Sequence, residues 1–169
     1  MQTEAAVEIE TVEKPEALKI RGWLILVAAG VIITPLRAAY VLWSIYLALF
    51  TDGTWAALTT EGSSVYSPFW APILIAEIVV NAAVGLAFLY MIFLFFAKKA
   101  SFPKWYAVAA IFSAAFIVLD SYAVTWIFPG TPVFDSETTK EFGRSLVSCL
   151  IWVPYLFLSK RAKATFINK

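Results

Sequence analysis

The chain contains no histidine and a single cysteine, Cys149. Without imidazole the common haem, zinc and general-base arrangements lose their usual side chain, and a lone thiol cannot close a disulfide within the chain. Cys149 lies in an apolar run, where it is read as a small packing residue. Formal net charge is only +1, so there is neither a basic field for nucleic acid nor an acidic excess for a cation store. Glycine-rich phosphate loops, nucleophile and base pairings and metal-ligand spacings are missing as well. An enzyme is not expected from this sequence, nor a cofactor, a metal or a nucleic-acid partner.

What is present is apolar surface. Of the 169 residues, 61% are hydrophobic and 17% aromatic, well above the roughly 45–50% apolar usage of soluble domains. Four long apolar stretches can be marked, and about 20 residues suffice to span a bilayer. They predict helices over about 22–50, 68–98, 102–128 and 137–160. Ser67 with Pro68 opens the second, Ser101 with Pro103 opens the third, Pro129 and Gly130 close it, and Asp135 with Ser136 starts the fourth. The expected fold is all-α: an integral membrane four-helix bundle over 21–160, between a mostly flexible tail at 1–20 and a basic tail at 161–169. The five glutamates among the first twenty residues do not suit a signal peptide, so the first helix is taken as uncleaved.

Ten of the thirteen basic residues precede the first helix, surround the second connection or follow the fourth helix. By the positive-inside rule both termini are then cytoplasmic. Trp23, Trp105 and Tyr106 on one side, with Tyr66, Trp70 and Trp126 on the other, suit interfacial belts rather than chemistry.

Charges inside the apolar runs carry the functional question. Arg37 lies 16 residues beyond Arg21, Asp120 16 beyond Lys104, Arg144 16 before Lys160, and Asn81 17 before Lys98. Measured from those inner basic residues, all four reach a common height of roughly 24 Å, with Glu77 one turn above Asn81 on the same face. The candidate site is therefore an intramembrane polar network of Arg37, Glu77, Asn81, Asp120 and Arg144. One central charge costs about 2.5–3.5 kcal/mol on the insertion scale, and each Leu, Ile, Phe or Val returns about 0.3–0.6 kcal/mol. Residues 22–41 hold nine of those, so the first helix inserts with a thin margin, and Arg37 is expected to face Glu77 or Asp120. In the competing reading, Arg37 and Arg144 snorkel to the outer headgroups. Pro35 and Pro154 free the carbonyls of Val31 and Leu150 and are expected to bend their helices.

Several of these segments resemble a known family. The run "RGWLIL", Glu77 and Asn81, the "FPKWY" that opens the third helix, Asp120, and the closing "RSLVSCLIWVPYLFLSKRAKATF" are similar to the bacterial inner-membrane proteins grouped as Domain of Unknown Function 2569. The resemblance covers roughly 20–166 and implies a four-helix protein of the bacterial inner (plasma) membrane. It brings no activity with it. Arg21 stands where a glycine is expected.

Two readings of function remain. The first is a non-enzymatic structural or interaction subunit, its charges paired to hold helix packing, associating with itself or with another membrane protein. The alternative is a small transporter or channel component that uses the same polar cluster as an ion or solute site. A balanced set of charges favours the first, and an unpaired carboxylate favours the second.

Overall fold

The computed structural model describes residues 16–168. Residues 1–15 of the tail expected over 1–20, Lys14 among them, and Lys169 lie outside them. Long helices dominate. Helix α1 (Leu24–Val41) runs through a π-helical turn (Leu42–Tyr46) into α2 (Leu47–Thr51), which makes one continuous 28-residue rod. A short α3 (Thr54–Thr59) follows, then α4 (Trp70–Phe96), α5 (Phe102–Val124), α6 (Ser136–Leu158) and a terminal α7 (Lys160–Thr165). The Leu24–Thr51 rod, α4, α5 and α6 are long and apolar enough to cross a membrane.

Local chemistry explains the ends. The Asp135 carboxylate accepts from the N–H groups of Glu137 (3.0 Å) and Thr138 (2.7 Å), so two of the free donors that open α6 are satisfied. The chain leaves α4 through Lys98, which takes a left-handed conformation (φ 52°), and the Lys99 N–H closes back on the Leu94 carbonyl at 2.9 Å. Gly53 at φ 85° turns the chain from α2 into α3, a conformation that glycine adopts without steric cost. The third long helix stops at Val124, short of the expected 128. Its continuation unwinds into turns and sets Trp126 against Phe69 and Phe128 against Trp70, with ring centroids 5.7 and 5.8 Å apart.

The helices pack in chain order, α1 on α4, α4 on α5 and α5 on α6, while α1 and α6 do not pack along their lengths. Gly85 lets α1 and α4 approach closely, since a Cβ built there would stand 3.2 Å from the Cβ of Ala38. Small residues at such crossings let backbones meet where the solvent is as apolar as the side chains. The outer faces carry large apolar side chains, and Leu36, Leu86, Leu119 and Leu150 are each 65% or 66% exposed.

The core collects at the end that carries both described termini. Leu24, Val27, Met91, Phe95, Phe102 and Leu156 are buried there. The segment expected as a basic tail is folded onto this core through Asn168. Ser159 caps α7, and Phe166 sits 4.8 Å from the Phe102 ring and 5.4 Å from Phe95. The Ala100 N–H donates to the Asn168 carbonyl, the Asn168 N–H to that of Lys98, and the Leu18 N–H to that of Ala164. The Lys98 ammonium reaches the Ala17 carbonyl at 3.0 Å. Charge composition concealed this fold-back, because Ala162 and Phe166 are buried while Lys160 and Lys163 beside them stay exposed.

Candidate functional site

Above that core the four long helices line a cavity of about 890 Å³. Its far half is polar. Tyr46, carried inward on the π-helical turn and only 8% exposed, donates its hydroxyl to Glu77 Oε2 at 3.1 Å. A π turn rotates the side chains beyond it relative to a regular helix, and such turns occur frequently at functional sites. Asn81 stands one turn below Glu77, and its amide donates to the Tyr46 hydroxyl (3.3 Å) and to the Glu77 carbonyl (2.9 Å). From α5 Asp120 lines the cavity beside Glu77, close enough for the two carboxyls to act on each other. Glu77, Asn81 and Asp120 are half-buried in the wall.

The expected partner of Arg37 is not the observed one. Its guanidinium donates to Glu141 Oε1 on α6 at 3.1 Å, and neither Glu77 nor Asp120 receives it. Helix register explains the difference. Ala38 lies opposite Gly85 and Tyr46 opposite Glu77 on antiparallel helices, so Arg37, nine residues before Tyr46, sits about 13 Å from the level of Glu77. Depths counted from Arg21 and Lys98 assumed that those residues share a level. Arg21 precedes α1 in a turn that contains Gly22 at φ 61°, and the helices are offset accordingly.

Arg144 lines the same cavity from α6, is exposed, and makes no hydrogen bond or ion pair among the described residues. Pro35 and Pro154 lie inside α1 and α6, both of which continue past them. The far rim is tied by Ser121, which donates to the Val133 carbonyl and lies 3.4 Å from the Thr138 hydroxyl. Asp135 joins that rim, and the backbone N–H of Thr138 holds its carboxyl below the usual carboxylate range.

Two participants were missed in the sequence. Tyr46 was hidden by the π turn, which leaves no compositional trace. Glu141 lies ahead of the apolar run of its helix and so outside the charges weighed above, although Glu141, Arg144, Ser145 and Ser148 form a stripe at helical spacing. Among the described residues no three His, Cys, Asp or Glu side chains are grouped to hold a metal ion. The acid pair, the tyrosine oxygen and the Asn81 amide form a site rich in acceptors, suited to an ammonium group, a small cation or a proton.

Neither a curated protein nor a solved structure matches this chain. A family does: the one described as protein of unknown function (DUF2569) matches residues 17–167. That span takes in every long helix, the cavity and the folded terminal segment, and the chain belongs to the DUF2569 family.

Proposed function

We propose that this chain is a multi-pass protein of the bacterial inner membrane, with both termini cytoplasmic. Its cavity holds a cationic solute, or the cationic end of one, at Glu77 and Asp120, as a small non-enzymatic transporter or channel component. One observation carries the reading: among the described residues no ion pair joins either arginine of the polar cluster to this acid pair, and Arg37 is engaged by Glu141. A charge inside a membrane is expensive and is a functional candidate by default. Two neighbouring carboxyls without a basic partner are poor structural cement, because like charges oppose each other.

The test is flux in proteoliposomes holding the full chain. Radiolabelled methylammonium uptake and proton entry, each driven by an inside-negative potential, are expected to exceed those of protein-free vesicles, and Glu77→Gln or Asp120→Asn is expected to remove the excess. Flux equal to that of empty vesicles sinks the proposal. The structural reading then takes precedence, supported by the Tyr46, Glu77 and Asn81 bonds that tie the first rod to α4. Orientation is tested separately, with a reporter after Lys169 active only inside and one near Gly62 active only outside.

A further inference from the structure

The cavity wall is incomplete along one side. Between α1 and α6 the seam is crossed at the core end by Trp23 and Trp152, whose ring centroids are 6.2 Å apart, and farther along by the Arg37 to Glu141 pair. Between these crossings the cavity is lined by Gly30 and Thr34 from α1 and by Ser145, Ser148 and Cys149 from α6. A Cβ built on Gly30 meets nothing within 4 Å, and the Thr34 hydroxyl is turned back onto the Gly30 carbonyl at 2.8 Å. The result is a slot with small, self-satisfied walls. Behind it the cavity is apolar, with Val84, Phe88 and Trp152.

Placed in a bilayer, this slot opens sideways into hydrocarbon rather than into water. Its occupant then has an apolar chain for the lower part and a polar head for the upper part. The head must suit two sites of opposite sign. Arg144, unpaired among the described residues, calls for an anion and is suited to phosphate. The Glu77 and Asp120 pair calls for a cation. Ser121 and Thr138 share a level, so Asp120 stands about 8 Å farther from the core than Arg144, a separation that an extended arginine and an ethanolamine linker span together.

We infer that the α1 and α6 seam is a lateral entrance for an amino-phospholipid, whose phosphate binds Arg144 and whose ammonium binds Glu77 and Asp120. The inference rests on the cation-site reading above and names the solute. Two membrane lipids of similar size separate its requirements, since phosphatidylethanolamine offers both charges and phosphatidylglycerol only the phosphate.

The experiment uses the full chain in nanodiscs with trace phosphatidylethanolamine or phosphatidylglycerol bearing a photoactivatable group on the acyl chain, and adducts are mapped by peptide mass spectrometry. Phosphatidylethanolamine adducts are expected on α1 and α6 near Gly30 and Cys149, in excess over phosphatidylglycerol on the order of tenfold. Unlabelled phosphatidylethanolamine is expected to compete, a control that needs no variant. Arg144→Gln and Gly30→Leu are expected to lower the yield, the first by removing the anion site and the second by filling the slot. Equal labelling by the two lipids, failure to compete, or disulfide cross-linking of Cys149 between two copies that cover the seam would each overturn the inference. Loss of the lipid preference with methylammonium flux intact would leave the cation site standing and remove only the lipid.

Discussion

Replacing Gly85 offers the most direct check on the register that separates Arg37 from the acids. A Cβ at Gly85 stands 3.2 Å from the Cβ of Ala38, whereas carbon atoms in good contact lie about 3.5–4.0 Å apart. Gly85→Ala therefore demands a local parting of about 0.3–0.8 Å that no rotamer change can supply, since neither Cβ can move without its backbone. Overpacking of this kind costs about 1–3 kcal/mol, while exchanging glycine for alanine in a helix returns close to 1 kcal/mol. The single change is expected to be between neutral and about 2 kcal/mol destabilising. Gly85→Val adds methyls one further bond length of about 1.5 Å out and gains less helix propensity. Parting α1 from α4 by a further 1.5–2 Å, roughly that bond length, would stretch the 3.1 Å Tyr46 to Glu77 bond beyond hydrogen-bonding range. Ala38→Gly removes the opposing methyl and is expected to rescue Gly85→Ala by about 1 kcal/mol of coupling. The assay is reversible unfolding in mixed micelles titrated with a denaturing detergent and followed by helical circular dichroism. Unchanged stability in Gly85→Val, with strict additivity in the Ala38 and Gly85 cycle, would show that the helices do not cross here, and the depth assigned to Arg37 would fall with it.

Three further outcomes are expected. Phe166→Ala empties a site wedged between Phe95 and Phe102 and is expected to cost about 3–5 kcal/mol, read as a lower midpoint of thermal unfolding in detergent; a solvated tail would show no loss. Arg37→Glu with Glu141→Arg is expected to recover up to about 1 kcal/mol relative to the sum of the single changes, whereas Arg37→Glu with Glu77→Arg recovers nothing, and the opposite ranking would restore the pairing expected from sequence. The carboxyl of Asp135 is depressed in the folded chain, so its contribution is fully present above its unfolded pKa of about 3.9 and is lost as the pH falls through the lower folded value; melts at descending pH are expected to show this loss in the wild type and not in Asp135→Asn, and identical profiles would refute it.

The long helices were legible because lipid solubility and span length are properties of composition and need no partner. Helix ends were legible where one residue supplies the donor or acceptor that a terminus lacks, as Asp135 does for α6. The meeting of Glu77, Asn81 and Asp120 was also within reach, since two sit one turn apart and the short α4 to α5 connection places the third opposite them. The π turn and the docking of Phe166 were not, because each depends on which surfaces become neighbours after the chain has folded.

From its sequence alone this protein is a set of four apolar rods of known length, each with its polar residues at a countable distance from its own end. Those distances say nothing of how far one rod slides past the next. The slide is decided by close contacts such as that of Ala38 with Gly85, and an offset of a few residues left Arg37 paired with Glu141 rather than with Glu77. Because the pairing of charges depends on distance across the helices and not along them, only the tertiary structure could determine which carboxylates were left without an arginine.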